Sequence, residues 1–385
     1  MSSDTMFGGT IAPGLGTEDR VRWPLRRSSQ LFQLRYGKAL VASSRRQGDI
    51  PVFGTNGQTG AHDEALFKGP GVVVGRKGAG HLGVHWSEGD YWVIDTAYSL
   101  VPIADLDLKF AYYLVNFAGL DHLKNGTSNP SLTREAFGAQ YFPVPPPSDQ
   151  RSIAATLGAL DDKIGSNRRA ISIAHDLLDT IADRESALLP SASLGDLTSL
   201  NRATTNPSTL GDEMVDHFSL PNFDANGQPE FVSATSIKSN KIDIVGNSIL
   251  VSRLNPRIDR MWWARPRPDI SALASTEFAV LTASSDTELA ALWLAVRDPY
   301  FREELPRRVT GTSGSHQRVR PDDLLMIDVP DVRLLDQLTK LTTLNLLGLC
   351  AARRRETAQL AALRDALLPE LLSGRIRACA PVGTT

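Results

Sequence analysis

The sequence predicts a mixed α/β fold built twice, in the order globular, helix, globular, helix. Three observations predict it. Short apolar runs broken by Gly, Pro and Asn read as strands and turns, motifs recur in the same order roughly 180 residues apart, and two stretches of about 40 residues carry apolar positions at helical spacing. At 385 residues the chain is long enough for two or three domains with real cores. With 42% apolar and 22% charged residues it has the profile of a globular protein, which excludes disorder, collagen or coiled coil throughout.

The recurrence is collinear. Gly126-Thr127-Ser128 and Val144-Pro145 match Gly311-Thr312-Ser313 and Val329-Pro330 at an offset of 185. Asp95 to Tyr98 resembles Ser275 to Phe278 at 180, Val72 to Arg76 resembles Ile249 to Arg253 at 177, and Asp149-Gln150 and Asp336-Gln337 open the two helical stretches at 187. A duplicated unit is expected to place such pairs at equivalent points.

Residues 1–148 form the first globular part, with strands expected at Ile50 to Phe53, Val72 to Val74 and Tyr91 to Ile94, a turn at Thr55-Asn56-Gly57 and a helix near Leu106 to Leu123. Pro143-Val144-Pro145-Pro146-Pro147 closes it, because that run continues neither a strand interior nor a helix. Residues 149–189 are the first long helix, with a seam at Ile153, Leu157, Leu160, Ile164, Ile171, Ala174, Leu178, Ile181 and Leu188, interrupted by Asn167 and Glu185. A polar Asn in such a seam commonly selects register and partner number. About 40 residues make a rod of roughly 60 Å. Residues 190–330 repeat the globular pattern, with a polar turn from Asn222 to Pro229 and a helix near Thr287 to Arg302. Residues 331–375 are the second helix, with a seam at Leu360, Leu363, Leu367 and Leu371 and a break at Arg353-Arg354-Arg355. Antiparallel pairing of the two helices brings Asn167 near Arg353 to Arg355.

Charge excludes some functions and locates others. With 41 basic and 43 acidic residues the net charge is −2, so the chain as a whole does not attract a polyanion. Residues 20–46, however, hold Arg20, Arg22, Arg26, Arg27, Arg35, Lys38, Arg45 and Arg46 with no acid. Residues 251–267 carry five arginines against Asp259, around Trp262-Trp263, and residues 305–320 carry Arg307, Arg308, Arg318 and Arg320 with no acid. Arginine forks beside short hydroxyl and amide side chains grip phosphates and read base edges, although any one such run also fits a solvated face.

Catalysis is not encoded by any recognisable motif. Gly75-Arg76-Lys77-Gly78-Ala79-Gly80 follows a strand but lacks the helix of a dinucleotide loop, and no phosphate-loop motif occurs. His62, His81 and His85 lack the further ligands of a metal site. Asn129-Pro130-Ser131-Leu132, Asn206-Pro207-Ser208-Thr209 and Asn255-Pro256-Arg257-Ile258 lack the second Pro and aromatic of an amino-methyltransferase loop. Asp105 and Asp107 near Lys109 suit helix capping better than metal-dependent hydrolysis. Two cysteines, Cys350 and Cys379, supply neither a disulfide framework nor a zinc site, and with no leader or long apolar run a reducing cytoplasm is expected.

These segments resemble the DNA-specificity subunit of type I restriction-modification systems. The first half is similar to a target-recognition domain in Tyr36-Gly37-Lys38, Gly48 to Gly57, Gly75 to Gly78, Ile94-Asp95-Thr96 and Val144 to Pro147. The second half is similar to another in Ile237 to Lys241, Leu250 to Pro256, Ser275 to Phe278 and Gly311 to Val319. The resemblance implies a non-catalytic reader in which two target-recognition domains, related by a pseudo-twofold axis, each read half of a bipartite asymmetric DNA site. The two antiparallel coiled-coil spacer helices set the gap and dock two modification subunits. S-adenosylmethionine, ATP and Mg belong to the modification and restriction partners, and no cofactor or metal is expected on this chain. The irregular second helix departs from the pattern. DNA contacts are expected from Asn56, Arg76, Lys77, Thr127, Ser128 and Asn129 in the first domain, and from Arg253, Asn255, Arg257, Ser313, His316, Gln317 and Arg318 in the second. The competing reading is a DNA-binding or scaffold protein that works without methylating partners.

Overall fold

The structure is a computed structural model, described here for residues 22–126, 130–310 and 317–378. The chain forms two compact units. Unit 1 comprises residues up to Asp162 and from Leu360 onward, and unit 2 comprises Lys163–Gln359, so both long helices cross the boundary.

In unit 1 the strands are β1 (Leu25–Arg27), β2 (Phe32–Tyr36), β3 (Ile50–Gly54), β4 (Gly57–His62), β5 (Gly71–Gly75), β6 (Val84–Ser87), β7 (Trp92–Val93) and β8 (Ala97–Pro102), followed by α1 (Leu108–Ala118). A four-stranded antiparallel sheet has the order β2-β8-β5-β6, and a smaller sheet the order β4-β3-β7. Strand β5 is central and Val72, Val73 and Val74 are fully buried, which is why three consecutive valines form a strand without polar alternation. Asp107 caps α1 by accepting the Phe110 amide at 2.8 Å, as the capping reading of that acid predicts. A hairpin of β9 (Lys124–Asn125) and β10 (Ser131–Leu132), the short helix α2 (Arg134–Gly138) and β11 (Tyr141–Pro143) lead to the long helix α3 (Pro147–Ser186). Pro147 opens that helix, where a missing N–H costs nothing.

Unit 2 repeats part of this order. Strands β12 (Ser191–Ser193) and β13 (Ser199–Asn201) flank α4 (Leu194–Leu197). Next come β14 (Thr204–Thr205), β15 (Met214–Phe218), α5 (Leu220–Asn226), β16 (Glu230–Ser233), β17 (Lys241–Asp243), β18 (Ser248–Ser252), β19 (Met261–Ala264), β20 (Ala272–Ala274) and β21 (Phe278–Thr282). The four-stranded sheet β13-β21-β18-β19 parallels β2-β8-β5-β6 in order and sense, with β18 buried throughout like β5. Helix α6 (Asp286–Arg297) is buried at every position from Leu289 to Val296, as a helix apolar all round must be. Then α7 (Pro299–Glu304), a hairpin of β22 (Val309–Thr310) and β23 (Arg318–Val319), α8 (Pro321–Leu325) and β24 (Asp328–Pro330) precede α9 (Gln337–Ser373). The second sheets differ, three strands in unit 1 against five in unit 2, β14-β17-β20-β15-β16.

Inside each unit the long helices run antiparallel. In unit 1, Ile153, Leu157, Leu371 and Leu372 join one core, and Arg364 pairs with Asp161 at 2.8 Å. In unit 2, Leu178 and Leu347 join another core, and Asn167 donates to Glu356 at 3.0 Å. Thus Asn167 meets the helix turn that carries Arg353, whose guanidinium is neutralised by the same Glu356 at 2.7 Å.

Several expectations are corrected. Helix α9 is continuous from Gln337 to Ser373 through the arginine triplet that interrupts its apolar seam. Leu188 lies beyond the end of α3 and is exposed, and Leu363 is 48% exposed, because its neighbour Arg364 occupies the facing position. Trp262 and Trp263 are buried in β19, so the arginines there do not surround a surface aromatic pair. The segment from Asn222 is not a plain turn, since α5 forms there with Ser219 as its cap. Finally, two repeat offsets shift. Ala97 pairs with Gly75 as Phe278 pairs with Ser252, and Leu25 pairs with Pro143 as Ser191 pairs with Pro330, which sets those offsets at 181 and 187 rather than 180 and 185. Shared letters lay one or two residues away from shared backbone partners.

Candidate nucleic-acid interface

The central strand of each four-stranded sheet ends at an arginine held by the backbone. In unit 1, Arg76 donates its amide to the Thr96 carbonyl at 2.9 Å and accepts from the Leu132 amide at 2.8 Å, and Gly78 donates to Pro130 at 3.0 Å. In unit 2, Arg253 donates to Glu277 at 2.8 Å and accepts from Val319 at 3.0 Å, and Asn255 donates to Gln317 at 3.0 Å. Gly78 and Asn255 occupy the same point, both at positive φ: 130° at Gly78, a value open to glycine, and 49° at Asn255, which asparagine tolerates. Each frame ties the strand exit to a hairpin, β9–β10 in unit 1 and β22–β23 in unit 2.

The guanidinium groups are anchored alike. Arg76 Nη1 donates to the Asp95 carbonyl at 3.0 Å, and Arg253 Nη1 to the Thr276 carbonyl at 2.9 Å. The surroundings then diverge. The Arg76 guanidinium carbon stands 4.8 Å from the centre of the half-exposed Tyr36 ring, and Arg134 stands 4.0 Å from the same ring. Lys77 pairs with Asp95 at 3.3 Å, while Thr55 donates to either the Lys77 carbonyl (2.8 Å) or the Thr96 carbonyl (2.7 Å), which fixes the turn carrying exposed Asn56. In unit 2 no aromatic ring stacks on Arg253 among the described residues. Instead Arg318 forks onto the Glu277 carboxylate at 2.9 and 2.7 Å. The Arg318 hydrogen bond holds Glu277 below the usual carboxylate range, and burial lowers the pKa of Arg253.

The expected residues therefore gather in two clusters. Asn56, Arg76 and Lys77 meet at the stem of the 126–130 loop, and Arg253, Asn255, Gln317 and Arg318 meet at the stem of the 310–317 loop. Arg257 is exposed and has no partner among the described residues. Thr127, Ser128, Asn129, Ser313 and His316 lie outside the described residues. Sequence reasoning missed Tyr36, Arg134, Glu277 and Arg202, the last ion-paired with Asp322. Tyr36 and Arg134 are 98 positions apart, and no local pattern signals their stacking.

The basic runs are partly consumed by the fold. Arg45 donates to the Thr59 carbonyl, Arg46 pairs with Asp63 and Glu64, Arg260 with Asp224, Arg267 with Asp216, and Arg307 and Arg308 with Glu304. Arg22, Arg26, Arg27, Arg35 and Lys38 are exposed with no acidic partner among the described residues. Among those residues no group of three or more His, Cys, Asp or Glu is placed to hold a metal ion, and no helix is long and apolar enough to cross a membrane. Cys350 is buried, its thiol pKa raised by that burial; Cys379 lies outside the described residues.

Residues 20–173 match the family described as "Type I restriction modification DNA specificity domain". The structure is similar to that of the type I restriction-modification S subunit from M. genitalium at 16% identity, covering 94% of this chain and 99% of that one, with a TM-score of 0.69. An HsdS subunit from Thermoanaerobacter tengcongensis aligns at 14% identity over 95% of this chain and 98% of its own, with a TM-score of 0.32. No curated protein sequence matches. Residues 20–173 thus match the type I restriction-modification DNA-specificity domain, and over 94% of its length the chain shares the fold of the M. genitalium S subunit.

Proposed function

We propose that the chain is the DNA reader of a type I restriction-modification complex, each unit recognising one half of a bipartite, asymmetric site. The observation that carries this reading is the doubled frame: the same backbone bonds fix Arg76 and Arg253, while the side chains around them differ. Two similar but unequal readers suit a non-palindromic site, whereas two identical ones favour a palindrome. Contacts come from Asn56, Arg76, Lys77, Arg253, Asn255, Arg257, Gln317 and Arg318, and from Thr127, Ser128, Asn129, Ser313 and His316. Loops on a rigid sheet vary without disturbing the core, so readout diverges while the scaffold persists.

In this reading α3 and α9 act as the ruler and as the docking surface for two modification subunits. Those subunits carry S-adenosylmethionine, and restriction subunits joined to the complex supply ATP- and Mg-dependent steps in the cytoplasm. This chain is non-catalytic. Mapping methylated adenines in a host genome with and without the chain tests the proposal. A split motif that disappears with the chain supports it, and an unchanged methylation pattern, or failure to co-purify with a modification subunit, overturns it.

A further inference from the structure

Unit 2 contains a cleft of about 250 Å³ between α9 and the sheet that holds β15 and β16, outside the loop-stem cluster described above. Its walls carry four arginines, Arg265, Arg267, Arg354 and Arg355, and one carboxylate, Asp216. Asp216 is buried and wholly engaged by Arg267, which donates to it at 2.5 to 3.2 Å and also stacks 4.1 Å from the Phe231 ring. The other three guanidinium groups have no acidic partner among the described residues. Arg354 is the most demanding, because one of its nitrogens lies 2.7 Å from Nε2 of His175, a neutral acceptor. Burial lowers the pKa of Arg354, and burial together with that arginine pushes His175 down to about 4.

Two glycines lie beside these side chains, at distances where a Cβ would make ordinary contact. Gly227 sits at φ 64° at the end of α5, with Arg354 Nε 3.6 Å from where a Cβ would stand, and Gly348 on α9 lies 3.9 Å from Arg265 Nη1 by the same measure. A desolvated guanidinium without a counter-ion is costly, and planar forks match the oxygens of phosphate. That cost falls on half-buried Arg354, while Arg265 and Arg355 are exposed at the cleft rim; the three cations without acidic partners suit the three to four negative charges of a polyphosphate chain.

We propose that this cleft binds a compact polyphosphate, inorganic or borne by a nucleoside, gripped by Arg265, Arg354 and Arg355. The full-length chain is titrated calorimetrically with sodium tripolyphosphate, with ATP, and with sulfate as control. One tripolyphosphate binds per chain, R265Q and R355Q each weaken it at least fivefold, and R354M abolishes binding. R354M also keeps or raises the thermal midpoint measured without anion, since a half-buried charge without a counter-ion has been removed. Tighter binding of ATP than of tripolyphosphate assigns the site to a nucleoside polyphosphate, and the reverse assigns it to the inorganic chain. Sulfate binding as tightly as tripolyphosphate overturns the proposal, as does unchanged affinity in R265Q and R355Q. Displacement of tripolyphosphate by a DNA duplex also overturns it, because the cleft then belongs to the DNA-reading face.

Discussion

Unit 1 and unit 2 route their central strands through equivalent backbone bonds and then solve the electrostatics of the exit differently. At Arg76 the charge lies against Tyr36 and is shared with Arg134, an aromatic solution that leaves cations facing outward. At Arg253 the neighbouring Arg318 is bound to Glu277 by a two-pronged ion pair, an acid solution that neutralises part of the patch. The position held by Thr96 in unit 1 is held by Glu277 in unit 2, as their carbonyls accept from equivalent arginines. The two units thus present two different charge patterns, and under the proposed function a change in one unit leaves the other's half of the site intact.

The largest test of that independence lies in the helices. Adding or deleting seven residues in α3 with a matching change in α9 should move the two half-sites relative to each other, or abolish assembly, and methylation mapping reads which. Unchanged spacing removes the ruler from the account. Next, Trp293→Ala should cost about 3 to 5 kcal/mol in unit 2, because Trp293 is 2% exposed and packs edge-on to Trp263 at 6.3 Å. Hydrogen exchange should show protection lost in α6 and β18 and kept in β5; equal loss in both makes the units one cooperative body.

A third test separates the seam expected from spacing and the seam the packing forms. Leu371→Ala should cost about 2 to 5 kcal/mol and Leu363→Ala less than about 0.5, read from denaturant midpoints. Arg318→Ala should weaken binding about tenfold at the half-site read by unit 2 alone, measured with duplexes altered in one half. Equal weakening on unrelated DNA reduces Arg318 to a phosphate grip.

The smallest effect is in pH. His175 in unit 2 is held down to about 4, against 6.5 for the free side chain, first by burial and then by Arg354. The unfolded chain therefore takes up a proton that the folded chain refuses, so stability falls as pH drops from about 6.5 toward about 4. His175→Gln should flatten the pH dependence of unit 2 in that window and leave unit 1 unaffected. A thermal midpoint whose slope is unchanged by the substitution assigns the acid sensitivity elsewhere.

Much of this was legible in the sequence, and particular residues show why. Val72 to Val74 read as a buried strand because a continuous apolar run bounded by glycines has few other homes, and Asp107 read as a cap because capping is a local bond. The turn at Asn56 and the recurrence of Arg76 in Arg253 were visible for the same reason. What failed was long-range. Leu363 has the right spacing, but which leucine faces inward depends on where Asp161 meets Arg364, 203 positions away in the chain. The repeat offsets slipped because similar letters need not share hydrogen-bond partners, and only pairing decides equivalence.

By itself the sequence determined the doubled order of elements, the two long helices and the residues poised at each strand exit, since periodicity, turn chemistry and capping are short-range. Tertiary structure alone decided which charges remain free. Of eight basic residues in the stretch from 20 to 46, the fold binds Arg45 and Arg46 to partners 14 to 18 positions away, and in unit 2 it leaves Arg265, Arg354 and Arg355 facing a cleft whose one carboxylate, Asp216, is taken by Arg267. A charge is neutralised by whatever lies within a few ångströms of it, and that distance exists only once the chain has folded.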